Sequence, residues 1–438
     1  MVYTFKGGVH PHDSKENTAQ KAIEKLESTD TYIYPLSQHI GAPCEPTVKV
    51  GDEVKIGQKI GDSDAFVSAP IFSSVSGKVM AVEMRPVTNG GEGMCIVIEN
   101  DGKDEYAETV KPYPKSPEEL TGEDLAQIAR DAGIVGLGGA TFPAHVKIRS
   151  AIGKVDTLIV NASECEPYIT SDHRVMVEYT RDVLNGIKLV AATLKIKRVF
   201  IGIEENKPDA AKALSDAVGN NSKIKVRVLK TKYPQGGEKQ LIKVLTGKEL
   251  PGGKLPADVG CIVFNVETCR AIWNAYYTGM PVIQRIVTVS GSNVKVPKNL
   301  AVRVGTPIEK LFEACGGFIK TPYKIVIGGP MMGTAQNSLQ VPVTKGVSSV
   351  LALDENDDRP DPVNSCIRCG RCVRACPMRL LPSIIGMHAL HGNVAECEKQ
   401  NIMDCIECGC CAYSCPANIP LVHIFRTTKQ KIKDGVKK

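Results

Sequence analysis

The chain has 438 residues, of which 42% are hydrophobic and 23% charged. That composition excludes a disordered, collagen-like or disulfide-stapled miniature protein, and at roughly 100 to 200 residues per domain it leaves room for about three or four domains. The net charge of +6, from 54 basic against 48 acidic side chains, is too mild and dispersed to point to nucleic acid.

The first residues, MVYTFKGGVH, have no apolar core behind a basic start, so no secretory signal is expected. No stretch approaches the roughly 18 to 20 apolar residues of a membrane span. Residues 1–33 read as an arm, because Lys6–Thr18 (KGGVHPHDSKENT) is rich in Gly, Pro and polar residues. Residues 34–112 carry short β-like runs broken by Gly-Asp and Ser-Gly turns. They resemble the barrel-sandwich hybrid of biotinyl and lipoyl carriers, yet Asp62–Phe66 (DSDAF) has no lysine at the hairpin tip, so an unmodified scaffold is expected.

In residues 113–284 strand and helix patterns alternate. Thr157–Val160, Val199–Ile203 and Ile224–Leu229 read as buried strands, and Val183, Leu184, Ile187, Val190 and Leu194 recur at helical spacing. Such alternation predicts a parallel sheet covered on both faces, with ligands beyond the carboxyl ends of the strands. Residues 285–350 suggest a small β-grasp domain around a helix at Ile308–Cys315, and 351–362 an acidic linker. Residues 363–425 form a cysteine-rich domain, and 426–438 a basic tail that is ordinarily solvated or else faces an acidic partner or lipid. His10, His12, His39 and His173 fall in or near polar turns, where surface positions are expected, and none has metal or triad spacing.

Ten of the sixteen cysteines lie between Cys366 and Cys415. Cys366-x-x-Cys369-x-x-Cys372-x-x-x-Cys376-Pro is repeated as Cys405-x-x-Cys408-x-x-Cys411-x-x-x-Cys415-Pro, the spacing of a two-cluster bacterial ferredoxin. In that arrangement each fourth cysteine serves the other cluster, so one [4Fe–4S] cluster takes Cys366, Cys369, Cys372 and Cys415, and the second takes Cys405, Cys408, Cys411 and Cys376. Each following Pro is expected in the first turn of a helix. Structural zinc is the alternative, but it takes ligands in two pairs, not three stepped thiols and a distant fourth. Cys410 leaves a second register open; the repeat favours Cys411, with Cys410 and Cys397 spare.

The α/β region adds four loops. Gly136-x-Gly138-Gly139 is either a tight turn or a backbone cradle for a planar ring or phosphate, with Lys147 as a nearby cation. Asn161-Ala-Ser-Glu164-Cys-Glu166-Pro follows a strand, Gly236-Gly237-Glu238-Lys239 opens a helix with free amides, and Asn265-Val-Glu-Thr268 follows another strand.

Together GLGGATFP…K, NASECEP, GGEK and NVET resemble the flavin- and NADH-binding subunit of respiratory complex I. With GGVHP, the hybrid barrel and the two-cluster repeat, the whole order is similar to the C subunit of Rnf-type ion-translocating ferredoxin:NAD oxidoreductases. The resemblance implies a multidomain α/β and α+β fold in which Gly136, Gly138, Gly139 and Lys147 hold FMN. Asn161 and Glu164 would touch the flavin, Glu166 and Glu238 would face the nicotinamide nucleotide as the catalytic carboxylates, and Phe142 would stack on adenine. Gly237, Asn265 and Thr268 would line the phosphate side. Three departures stand out: Leu137 for Arg, Ser163 for Asp and Lys239 for Glu, the last able to attract a phosphate.

The implied cofactors are FMN, NAD(H) and two [4Fe–4S] clusters. The implied partners are the membrane subunits of a complex that moves Na⁺ or H⁺ and another iron–sulfur protein or subunit, with membrane contact only through partners. The implied place is peripheral, on the cytoplasmic face of the bacterial inner membrane. A soluble cobalamin reductase of similar make-up, and a cluster-bearing adaptor with a silent nucleotide pocket, are the rival readings.

Overall fold

In the computed structural model, which describes residues 2–358 and 362–436, four parallel strands form the central sheet. Their order is Ile224–Leu229, Arg198–Glu204, Thr157–Ala162, Cys261–Asn265. Leu158 and Val160 join one core with Val183, Leu184, Ile187 and Val190 of the helix Thr180–Thr193. Ile159 and Val263 join a second core with Leu241 and Ile242 of the helix Glu238–Thr246. A strand apolar at successive positions is the signature of a sheet covered on both faces, and burying each such side chain contributes roughly 1.5–3 kcal/mol. Ile224–Leu229, expected to be buried, is the edge strand; only Ile224 and Leu229 are buried, because its outer side carries no strand, only a bridge from Tyr3 at the Leu229 end.

Two smaller sheets, of four and three strands, close over Tyr32, Tyr34, Ile60, Val79 and Ile96 to make the hybrid barrel. Its hairpin tip is docked. Arg130 Nη2 donates to Asp62 Oδ1 at 2.6 Å and to Ser63 O at 3.0 Å, and His145 Nε2 stands 3.2 Å from Phe66 O.

The third unit is a six-stranded mixed sheet that includes Gln284–Ser290, Lys298–Arg303, Lys324–Ile327 and Ser349–Leu353, packed with the helix Ile308–Ala314. Ser349–Leu353 carries this sheet past residue 350, and part of the expected linker, residues 359–361, lies outside the described residues. The N-terminal segment is more than an arm: Ile23–Lys25 pairs in parallel with Lys298–Arg303, Thr31–Pro35 belongs to the barrel, and Lys15 and Thr18 are buried.

The C-terminal domain departs from expectation in two ways. Pro377 and Pro416 do not open helices. Cys376 ends the helix Arg371–Ala375 in an extended conformation, since proline disfavours helical backbone in the residue before it. The basic tail begins inside the helix Leu421–Val436, whose Phe425 and Ile432 are buried against the cysteine loops. His39 and His173 are likewise interior: His39 Nε2 accepts from Ala69 N at 3.0 Å, and His173 Nε2 lies 2.7 Å from Asp209 Oδ1. Both partners are distant in sequence and are brought in by the fold, which is why a polar sequence context did not mean exposure.

Candidate functional site

The loops after Ala162, Leu229 and Asn265 meet at the carboxyl end of the parallel sheet. The glycine-rich turn is closed by Gly136 N to Phe142 O at 2.9 Å and Thr141 N to Gly136 O at 3.1 Å. Leu137, which replaces the family's arginine, is buried: its N–H donates to Thr268 Oγ1 at 3.0 Å, and its carbonyl accepts from Arg285 Nη2 at 2.9 Å. Thr268 is therefore spent on holding the turn. This leaves Gly138, Gly139 and Ala140 exposed, and among the described residues their amides meet no protein acceptor. Gly139 has φ +118°, a conformation glycine alone adopts readily, with open space where a side chain would stand.

Facing this turn, the helix Glu238–Thr246 starts without a side-chain cap, so its first amides are open to an anion. Lys147 Nζ bridges the elements, 2.7 Å from Glu238 Oε1 and 3.0 Å from Val263 O. Asn161 Nδ2 donates to Gly236 O at 2.9 Å, and Asn265 Nδ2 to Asp172 Oδ2 at 2.6 Å. Free amides, a lysine and a bare glycine edge fit a flavin mononucleotide, whose phosphate needs donors and whose ring needs a flat approach.

The carboxylates are placed differently from what the resemblance implies. Glu238 sits at the cradle beside Lys147. Glu164 caps the helix Ser171–Glu178, accepting from Asp172 N at 2.6 Å and His173 N at 3.2 Å. Glu166 is enclosed, accepting from Met331 N at 3.0 Å, and burial pushes its carboxyl up to about 7. Lys239 turns away from the cradle and stands 3.8 Å from Asp404 of the cysteine-rich domain.

Two residues that sequence reasoning missed hold this loop. Lys15 Nζ donates to the carbonyls of Glu164 at 3.0 Å, Glu166 at 2.9 Å and, closest of all, Ile169. Lys207 Nζ donates to Ser163 O at 2.7 Å and pairs with Glu204 at 3.2 Å. Both ammonium groups are buried. Lys15 lies in a run of polar residues that gave no sign of burial.

The eight motif cysteines collect in two cavities. Cys366, Cys369, Cys372 and Cys415 line one; Cys376, Cys405, Cys408 and Cys411 line the other. The fourth thiol of each motif thus crosses to the other motif's cavity, a donor set that fits two cubane clusters. Cys410 does not line either cavity; its Sγ lies beside the Cys408 thiol and 3.8 Å from Tyr233 O, and Cys397 Sγ faces Ile385 O at 3.6 Å. Lys429 braces the second motif through Cys405 O at 3.0 Å and Glu407 Oε1 at 2.5 Å.

The second cavity is the one next to the cradle loops. Cys408 and Cys410 share an apolar cluster with Tyr233, Val9 and Ala375, and Cys165 and Met331 pack on it. The N-terminal segment stitches this seam: Gly8 N donates to Ala375 O at 2.8 Å, and Val9 and Tyr233 exchange two backbone bonds at 2.9 and 3.0 Å. Gly7 has φ +85°, and a Cβ there would stand 2.7 Å from Cys376 O.

A flavin-binding α/β unit joined to a two-cluster domain defines an iron–sulfur flavoprotein built for electron transfer. Residues 129–274 match the family described as Nuo51 FMN-binding domain, 3–103 the RnfC barrel sandwich hybrid domain, 286–335 the SLBB domain and 365–419 the 4Fe-4S dicluster domain. The chain is 50% identical to the C subunit of the proton-translocating ferredoxin:NAD(+) oxidoreductase complex of Clostridium ljungdahlii, over 98% of this chain and 94% of that one. It is 45% identical to the C subunit of the Na(+)-translocating complex of Acetobacterium woodii, over 98% and 97%. With the C subunit of the ion-translocating oxidoreductase complex of Rhodobacter capsulatus it shares 42%, over 99% and 84%. The chain belongs to the family formed by the C subunits of these ion-translocating oxidoreductase complexes. A chain of an H2-reduced NAD+-reducing [NiFe]-hydrogenase shares the fold, with TM-score 0.50 at 16% identity, over 72% of this chain and 61% of that one.

Proposed function

We propose that the chain is the peripheral electron-transfer subunit of a membrane-bound ferredoxin:NAD oxidoreductase that drives Na⁺ or H⁺ translocation. The observation that carries this reading is the seam at Tyr233, which packs the loops of the flavin cradle against one of two four-thiol cavities. FMN, when bound, supplies the exchange between hydride, which NAD(H) carries, and single electrons, which iron–sulfur clusters carry.

The chain's own residues divide the remaining work. The amides of Gly138, Gly139 and Ala140, with Gly136 closing the turn, bind and orient the flavin; Lys147 and the open start of the helix at Gly237–Glu238 receive its phosphate. Asn161 and Asn265 fix the two loops between which it lies. Phe142, half-buried beside the glycines, offers an aromatic face for the adenine of NAD(H), and Glu238 is the carboxylate left at the nucleotide side. Glu164 and Glu166 serve as supports of the cradle loop. The thiols of Cys405, Cys408, Cys411 and Cys376 hold the cluster near the flavin, and those of Cys366, Cys369, Cys372 and Cys415 hold the outer one. Tyr233, Val9 and Met331 keep water from the seam.

Among the described residues no helix is long and apolar enough to cross a membrane, and ion translocation is assigned to partner subunits. Sixteen unbridged cysteines support a reducing compartment, and with it the cytoplasmic face of the membrane. The test is anaerobic: rebuild the clusters in the purified chain, assay iron and FMN, and add NADH. Flavin bleaching followed by reduced-cluster EPR signals is expected. FMN present, clusters reducible by dithionite and no response to NADH would overturn the reading.

A further inference from the structure

The outer thiol cavity opens on a face that the electron-transfer role does not by itself explain. Cys366 and Cys369 are exposed, whereas Cys408 and Cys411 are buried. Around the opening stand large apolar side chains in water: Ile367 is 70% and Leu390 66% exposed, with Met387 beside them. Isolated apolar side chains on a surface are ordinary, but a group of them ringing one opening marks a place where another molecule sits.

The charge on this face is of one sign. Arg368 lines the opening and Arg371 and Arg374 follow it on the next turn, all exposed. Arg374 is tethered loosely to Cys369 O at 3.4 Å, and among the described residues Arg368 and Arg371 have no carboxylate partner. Glu396, on the neighbouring helix Val394–Lys399, is taken by Lys399 at 2.5 Å. The side of the domain facing the flavin is packed at the seam at Tyr233, so single electrons exchanged with another protein pass where the outer thiol cavity meets solvent.

We infer that this arginine-rimmed apolar face is the docking port for an acidic iron–sulfur protein or domain. The inference rests on the electron-relay reading above and deepens it by naming the port and the partner's charge. The step is a single-electron exchange: one reduced centre on the partner loses an electron, the outer cluster gains it, and no bond is made or broken. The arginines steer and orient the encounter, and the collar of Ile367, Met387 and Leu390 excludes water at contact.

The test uses the full chain with its clusters rebuilt and an acidic two-cluster bacterial ferredoxin as the probe. Binding of the oxidised ferredoxin is measured by surface plasmon resonance at low and high salt, and its electron exchange, in reduced form, by stopped flow. Salt-sensitive binding is expected, weakened at least about tenfold in R368E/R371E, with R368Q/R371Q between the two. NADH-driven flavin bleaching should stay at the wild-type level, because neither arginine touches the cradle, and the variants are compared at matched iron content because Arg368 lines the outer cavity. Reduced methyl viologen, a cation, should react no more slowly with R368E/R371E than with the wild type. Ferredoxin binding that ignores both salt and the substitutions overturns the port. Vesicles of phosphatidylglycerol captured through the same arginines, with no ferredoxin affinity, overturn it in favour of a lipid surface. If instead NADH never reduces the clusters of the wild type, the relay reading itself has failed, which the binding data alone do not decide.

Discussion

Replacing Lys15 by methionine, which keeps the length of the side chain and removes its charge, should loosen the cradle loop without unfolding the protein. Three carbonyls, of Glu164, Glu166 and Ile169, converge on the ammonium group, and a hydrogen bond to a charged donor is worth about 1.5–3 kcal/mol. The gross sum is offset because the charge is fully enclosed; burial is the main influence holding the lysine's pKa below its ordinary value, against the pull of Glu164. Breaking a buried charge–dipole cluster by removing one partner costs about 3 kcal/mol on balance, or roughly a hundredfold in the opening equilibrium of the loop. Hydrogen exchange of peptides covering residues 163–170 should therefore accelerate by about two orders of magnitude, while the barrel exchanges as before. FMN should wash off more readily on gel filtration. The Lys15→Arg variant should rescue only partly, because a planar fork does not match three carbonyls gathered around one point. Unchanged exchange in this loop together with unchanged FMN retention in Lys15→Met would show that the lysine is a passenger.

Other perturbations separate the parts of the site. Cys376→Ser should erase the EPR signal of the cluster held by Cys405, Cys408 and Cys411 and spare the other, while Cys410→Ser should keep all its iron; iron lost from Cys410→Ser and kept in Cys411→Ser would mean that the second motif uses the other register. Lys147→Ala should weaken FMN binding by at least about tenfold, read by flavin fluorescence, since it removes the cation between the free amides and Glu238. Burial, reinforced by Glu164, raises the Asp172 carboxyl to about 7 from its ordinary 3.8. The folded chain thus keeps a proton that the unfolded chain releases, a stabilisation complete below about pH 4 and lost as pH rises through about 7. Urea titrations followed by Trp273 fluorescence should show the α/β unit of Asp172→Asn losing less stability than wild type between pH 5 and 8; equal losses would refute the assignment.

What was legible in the sequence was whatever repeats or alternates. The cysteine spacing gave the two four-thiol sets because each ligand's partner is fixed by local chain geometry, and the apolar runs Thr157–Val160 and Val199–Ile203 gave the sheet because burial on both faces leaves no room for polar residues. Residues whose role is a long-range contact were not legible. Lys15 meets carbonyls about 150 positions away, and His39 finds Ala69 through the fold of the barrel; in sequence both look like surface residues. Glu166 and Lys239 have partners that their motifs did not announce, for a related reason. A motif identifies the loop, while the direction of each side chain depends on what packs behind it, here Met331 and Asp404.

The N-terminal segment draws these facts together. Within its first 25 residues it pairs with Tyr233, touches the end of the helix that precedes Cys376, holds the cradle loop through Lys15 and adds a strand to the β-grasp sheet. Electron transfer between a flavin and a cluster falls steeply with distance, so their spacing has to be held by something stiffer than a linker. Chain order alone does not do this, since the strand that precedes the cluster domain, Ser349–Leu353, lies in the β-grasp sheet and not among the flavin loops. The N-terminal segment can, because backbone bonds at Gly8 and Val9 fasten both sides of the seam to one short stretch of chain. The glycine at position 7 follows from that duty: only a residue without a side chain lets the segment pass this close to the Cys376 carbonyl.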